Sequence, residues 1–367
     1  MTPQRAGPSR LRAPLVVAVS LAVLVGGCDA AARSTGPKAG QGASLSVRGN
    51  ELVASNGRRV VLRGFVVYAL PFYYDTGGVR DPALQAVTSY AWTHRAGLFA
   101  AIRRTGANAV RIPISLGVYE HDRYLPGGGA GYLRRLSQIV GAARAAGLYV
   151  ILVWWDSPDR GAQLLRSSRT LFPMMAAVHR LFVHDPGVMY EPYNEPHGIS
   201  WGEWLPTMVG ALRYWRRSLG YHGVLIFDTI GYSWDVSPLY MQALLDAARL
   251  LQRPPNVLFA NHRYPNGASC FCGANRQTWT RSVEPYLRTF PVVGTEYGLY
   301  DGLGTPSVNW GRGFLRYVAR RAIPDGMNGA IAFVWEWVDP NSMTSPTTHR
   351  LTRWGRVVVS ELLGPVS

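Results

Sequence analysis

From Val60 onward the chain alternates, with little interruption, between short apolar runs of strand length and amphipathic segments of helical length. Few folds accept that order. The strand-like runs are VVLRGFVV (60–67), AVRIPI (109–114), YVILVWW (149–155) and VMYEPYN (188–194), then VLIFDT (224–229), NVLFA (256–260), PVVGTE (291–296) and GAIAFVW (329–335). Most are near-continuous in Val and Ile, as parallel strands covered on both faces require. Between them, Leu133–Ala146 sets Leu136, Ile139, Val140 and Ala143 at helical spacing, and Trp204–Leu219, Pro238–Leu251 and Trp310–Ile323 are similar. Gly106, Gly147 and Gly220 stand where a helix should stop before the next strand. Eight such units predict an α/β fold of the (β/α)8 TIM barrel type. An open doubly wound sheet is the alternative, but no G-x-G-x-x-G follows the first run. Upstream, Leu45–Val61 carries Ser55-Asn56-Gly57 between short apolar runs and predicts an N-terminal β-hairpin plugging the barrel bottom.

The first residues predict export. Arg5, Arg10 and Arg12 precede the apolar stretch Ala13–Val25, too short for a spanning helix, and Gly26-Gly27-Cys28 follows. The small residues before Cys28 resemble a bacterial lipobox, which implies removal of residues 1–27 and lipidation of Cys28. An ordinary secretory signal is the alternative. Residues 28–44 read as a flexible tether and 45–367 as the barrel, held outside the cytoplasm on a membrane anchor or secreted, and monomeric. In such a chain Cys270 and Cys272 are expected to form a tight disulfide bracing a loop. Two thiols and a distant His262 make a poor zinc set, so no metal is expected.

The formal charge of +16 invites a nucleic-acid partner. Lys38 is the only lysine among 38 basic residues, and the arginines are scattered, without a basic stripe or interleaved aromatics. Pairs such as Arg103-Arg104, Arg216-Arg217 and Arg320-Arg321 fall late in predicted surface helices, where cations suit the helix dipole. A solvated basic surface is the expectation, with an anionic envelope polymer as the alternative partner and no nucleic acid.

Barrel chemistry collects at the C-terminal ends of strands. There the runs offer Arg111, Trp154-Trp155-Asp156, Asn194-Glu195, Asn261-His262-Arg263-Tyr264, Thr295-Glu296-Tyr297 and Trp335-Glu336-Trp337. A charged group driven to the end of a buried strand is costly unless paired or used. Glutamates from the fourth and seventh strands face one another across such a barrel. Glycoside hydrolysis with retention uses two carboxyls about 5–5.5 Å apart, one ionised and one held protonated by its environment.

These residues resemble glycoside hydrolase family 5, the cellulase-type family, over roughly Leu45 to Leu362. GNELVASNGRRVVLRG is similar to its N-terminal hairpin and first strand, GANAVRIPIS to its second strand and VMYEPYNEPHG to its signature segment. NHRY, PVVGTEYG and FVWEW follow in order. The resemblance implies Glu195 as acid/base and Glu296 as nucleophile. Asn194 then bonds the sugar 2-hydroxyl, and Arg111 holds Glu296 ionised, with pairing to Glu191 as the alternative or the companion role. His262 and Tyr264 match a His-x-Tyr pair of which one member contacts nucleophile or sugar, a structural histidine being the alternative for His262. Trp335 is the implied platform under the sugar, with Trp337 as alternative and barrel core as the other use of Trp335. No cofactor is implied.

Two positions depart from the family pattern: Trp155 replaces a frequent histidine, and Phe65-Val66-Val67 stands where an asparagine is common. Sugar preference is therefore not transferred. Tyr68, Phe72, Tyr73, Trp154, Trp201, Trp204, Tyr232, Trp234 and Tyr300 supply further aromatic surface near strand ends. The expected function is retaining hydrolysis of a β-linked glucan, mannan or other β-glycoside. A transglycosylase, or a non-catalytic carbohydrate-binding lipoprotein on the same barrel, is the alternative.

Overall fold

The eight apolar runs close into one parallel barrel. The computed structural model describes residues 43–71, 82–121, 126–155, 171–300, 305–336 and 340–364. The leader, Cys28, Phe72, Tyr73, Asp156 and Trp337 lie outside the described residues. Strands β1 (Leu45–Arg48) and β2 (Glu51–Ala54) form an antiparallel hairpin. Then β3 (Leu62–Val66), β4 (Ala109–Ile114), β5 (Tyr149–Trp154), β6 (Val188–Glu191), β7 (Leu225–Asp228), β8 (Val257–Arg263), β9 (Val292–Tyr297) and β10 (Gly329–Ala332) follow one another around the barrel. Parallel pairing of β10 with β3 closes it. The predicted (β/α)8 architecture and hairpin are both present.

Strand ends differ from expectation in two informative places. β6 stops at Glu191 because Pro192 has no N–H to continue the ladder. β10 stops at Ala332, short of Phe333-Val334-Trp335.

Strand side chains alternate between two apolar layers. Val110, Ile112, Val150, Leu152, Leu225 and Phe227 point outward and pack with Phe99, Leu136, Ile139, Met174 and Trp204. Ala109, Ile151, Met189, Ile226, Leu258, Val293 and Ile331 face the axis, and Leu45, Val47, Leu52 and Ala54 of the hairpin join them. The hairpin's backbone is satisfied by barrel side chains: Asn256 Oδ1 accepts from Val47 N–H at 2.8 Å and Asn328 Oδ1 from Leu52 N–H at 2.7 Å. Burial of a polar backbone under the barrel needs such partners.

The helices form as their patterns predict. Gly128–Ala145 buries Leu136, Ile139, Val140 and Ala143, and Gly147 ends the turn beyond it at φ 77°. Trp201–Arg213 opens on a capping box between Ser200 and Glu203. One arginine pair is a correction: Arg216 is buried rather than on the surface. It donates to the carbonyls of Tyr221, Pro255 and Asn256, and burial lowers its pKa to about 10. Cys270 and Cys272 are disulfide-bonded just before helix Gly273–Ser282.

Candidate active site

Toward the C-terminal end of four strands, the inward face changes from apolar to polar. On that face β4 goes from Ala109 to Arg111, β6 from Met189 to Glu191, β7 from Ile226 to Asp228 and β8 from Ala260 to His262. The period of two that fills the barrel with apolar side chains also aims these groups into it. β9 contributes two groups through a bulge. Ala260 pairs with Val293 but His262 pairs with Glu296, so β9 carries one extra residue there. Both Thr295 and Glu296 thereby reach the interior, on Glu191 and Arg111 respectively.

Arg111 is the hub, with no solvent exposure. It binds Glu191 through Nε and Nη2 at 2.8 and 2.9 Å, Glu296 Oε2 through Nη1 at 2.8 Å and Asn194 Oδ1 through Nη2 at 2.6 Å. Arg111 therefore contacts Glu191 and Glu296 at once. A buried guanidinium persists only when its charge and donors are matched in this way. Burial works against ionisation of Glu191, but the charge and bonds of Arg111 outweigh it and hold the pKa below the usual range.

The two carboxyls proposed for chemistry sit in different settings. Both oxygens of Glu296 accept hydrogen bonds, Oε2 from Arg111 and Oε1 from the Tyr264 hydroxyl at 2.6 Å. Burial first, and then the neighbouring Glu195, raise the Glu296 pKa above the usual carboxylate range, against the opposing charge of Arg111 and the bond from Tyr264. Two donors on two oxygens suit the ionised form. The Glu195 side chain is 21 % exposed, against 4 % for Glu296, so it opens toward solvent. Desolvation raises its pKa to about 7 despite the opposing charge of Arg111.

His262 fixes where the Glu195 proton sits. Burial lowers its pKa to about 4, so the ring is neutral at pH 7. Nε2 lies 2.9 Å from Thr295 Oγ1, and Nδ1 lies 2.7 Å from Glu195 Oε1. The Thr295 hydroxyl donates to Glu191 Oε1 at 3.3 Å. Thr295 therefore accepts from Nε2–H, Nδ1 carries the lone pair, and the short contact to Glu195 takes its proton from the carboxyl. An oxygen of Glu195, an oxygen of Glu296 and a nitrogen of His262 lie within 4.8 Å of one another.

Groups of metal-ligating type also meet at Glu191, Asp228 and His262. Arg111 already binds both Glu191 oxygens and Thr295 engages His262, so these groups are taken up by partners within the protein.

Trp335 is a correction. It is 5 % exposed and packs edge-to-face on Phe65 at 4.9 Å in the outer apolar layer, so it presents no face to a sugar. Phe333 takes the inward place, half-buried with Tyr68 and Trp155 at 6.0 and 6.1 Å and near Tyr264 at 6.4 Å. Alternation from Ile331 alone would turn both Phe333 and Trp335 inward, but the strand ends at Ala332 and the period is lost before Trp335. Asp228 and Thr295 were also missed, although Asp228 ends its run as abruptly as Glu195 does. Of the other aromatics, Trp154 and Trp204 are core, whereas Tyr232 is 50 % exposed and stacks on His197 at 4.3 Å.

Comparison with known proteins bears on the barrel and the family. Endoglucanase E-5 of Thermobifida fusca is 24% identical over 285 residues, covering 76% of this chain and 54% of that protein. Endoglucanase N of Pectobacterium atrosepticum is 25% identical over 222 residues, covering 60% and 43%. The chain thus spans about half the length of these relatives. The catalytic domain of a Thermobifida fusca endoglucanase superposes with a TM-score of 0.61 at 20% identity, covering 86% of this chain and 96% of that one. A β-mannanase of Streptomyces thermolilacinus, solved with mannohexaose, gives 0.61 at 18% identity over 88% and 95%. These two likenesses show the barrel. The profile of the cellulase family matches residues 78–337, most of the chain, and the chain belongs to glycosyl hydrolase family 5.

Proposed function

We propose that the chain is a retaining β-glycosidase acting on a β-linked glucan, mannan or related β-glycoside. One observation carries the reading: Glu195 and Glu296 offer oxygens within 4.8 Å, one carboxyl arranged to keep a proton and the other to stay ionised. That separation suits direct attack by a carboxylate rather than by an interposed water.

Glu296 attacks the anomeric carbon while Glu195 gives its proton to the departing oxygen, breaking the glycosidic bond. Glu195, now ionised, takes a proton from water as that water displaces Glu296 and frees the sugar. Asn194, fixed by Arg111 at 2.6 Å, is placed to bond the sugar beside the reacting carbon. Phe333 and Trp155 supply apolar ring surface for the sugar's C–H face.

The relatives named endoglucanase and β-mannanase support a β-glucan or β-mannan as substrate. The test is turnover of aryl β-glycosides, soluble β-glucans and mannans by wild type, Glu195→Gln and Glu296→Gln. The expected result is wild-type hydrolysis that Glu296→Gln abolishes on every substrate. Sugar binding without turnover by all three proteins would instead favour a carbohydrate-binding role, and products longer than the substrate a transglycosylase.

We further propose that residues 1–27 are removed, that Cys28 is lipidated and that 28–44 tether a monomeric barrel outside the cytoplasm. The leader Ala13–Val25 and the small residues before Cys28 support this. Mass measurement of the mature protein, with loss of the lipid in Cys28→Ser, tests it.

A further inference from the structure

Asp228 has no part in the double displacement, yet it lies at the centre of the buried charges. It ends β7, points inward and is 1 % exposed. Its Oδ2 accepts from the backbone N–H of Glu195 at 2.7 Å and from the Ser233 hydroxyl at 2.8 Å. Glu195 stands at φ 50°, the left-handed region that costs a residue with a side chain about 1 kcal/mol or more. A hydrogen bond to that N–H is what such a conformation needs to persist.

The other oxygen, Oδ1, meets no N–H or O–H donor. Glu191 is the neighbouring carboxyl: an oxygen of Asp228, an oxygen of Glu191 and a nitrogen of His262 lie within 4.8 Å of one another. Glu191 is the partner that Arg111 binds through two nitrogens, so Glu191 keeps its charge. The groups facing Asp228 are Glu191, Arg111, Glu195 and His262, whose Nε2 is 3.6 Å from Oδ2. One guanidinium already serves Glu191 and Glu296. A third buried carboxylate would have no cation of its own.

We propose that Asp228 is a neutral carboxylic acid that positions Glu195: its Oδ1–H donates to Glu191 while Oδ2 holds the Glu195 peptide in place. The direction of its titration agrees, since burial and then the charge of Glu191 push its pKa well above the usual carboxylate range. Asp228 thus links the Arg111–Glu191 pair to the acid/base. Replacing a second negative charge with an O–H also keeps the Glu195 pKa from being driven higher.

The kinetic part of the test rests on the glycosidase reading, and the spectroscopic part does not. Asp228→Asn preserves the pattern of a neutral acid, with an amide N–H for Glu191 and an oxygen for Glu195 and Ser233. Asp228→Ala removes both. The alanine variant is expected to lose kcat about a hundredfold with little change in KM, as displacement of a reacting group by about an ångström does. The asparagine variant is expected to recover at least about tenfold of that loss on the same scale, with the alkaline limb of the pH profile where wild type has it. An asparagine variant as impaired as alanine, or with its alkaline limb moved to lower pH, would show that Asp228 is ionised and overturn the proposal. Infrared difference spectra decide it without turnover: in the Glu195→Gln background, adding Asp228→Asn must remove the C=O band of a buried protonated carboxyl at pH 7. Unchanged spectra in a folded double variant would contradict the proposal even if the chain hydrolyses nothing.

Discussion

At the scale of residues, what distinguishes Glu195 from Glu296 is which groups donate to them. Two donors on Glu296 favour charge, and a neutral His262 with its lone pair toward Glu195 favours a proton there. Activity should therefore follow a bell in pH, with the alkaline limb near the value of about 7 that desolvation gives Glu195. Tyr264→Phe removes a bond to the charged form of Glu296, so the Glu296 pKa rises and the acid limb moves to higher pH. Profiles of kcat/KM for both proteins check this. Glu195→Gln should lower kcat by about a hundred- to ten-thousandfold on unactivated substrates, and less on aryl glycosides whose leaving groups need no proton. Phe333 and Trp335 separate in kind: Phe333→Ala should raise KM and leave the melting temperature nearly unchanged. Trp335→Ala should cost about 3–5 kcal/mol of stability by emptying the outer core, read from denaturant unfolding.

At the scale of elements, the barrel tolerates no extra atom where strands approach most closely. A Cβ on Gly64 of β3 would strike the Ala109 carbonyl of β4. Gly64→Ala should therefore destabilise by about 1–3 kcal/mol through overpacking, visible as a lowered thermal midpoint. The strands were legible because burial on both faces writes continuous Val- and Ile-rich runs, as in YVILVWW. Their ends were less so. Asn261-His262-Arg263 looks like a loop by polarity, yet it continues β8 because the barrel interior turns polar at that level. GAIAFVW looks like one strand to Trp335, yet pairing stops at Ala332, and that early end is what leaves Phe333 inward and Trp335 outward although strand alternation would put both on one face. The β9 bulge that turns in both Thr295 and Glu296 depends on register against β8, which no single segment encodes. Glu195, Glu296 and Arg111 stood out as charges within or at the end of apolar runs. Asp228 ends its run just as conspicuously and was passed over, whereas Thr295 turns inward only through the β9 bulge.

At the scale of the whole molecule, a hairpin closes one mouth of the barrel and the other carries the charged layer, so solvent reaches the chemistry from one end. Among the described residues, Arg111 is the arginine hydrogen-bonded to Glu296, and it is also engaged by Glu191 and Asn194. Retention requires that Glu296 become covalently attached to the sugar. The most direct measurement is mass spectrometry after incubation with 2-deoxy-2-fluoro β-glycosides bearing a good leaving group, in the gluco and manno series. A stoichiometric adduct that maps to Glu296 and is absent from Glu296→Gln is expected. An adduct on another residue, or none with either series while hydrolysis proceeds with inversion at the anomeric carbon, would contradict it.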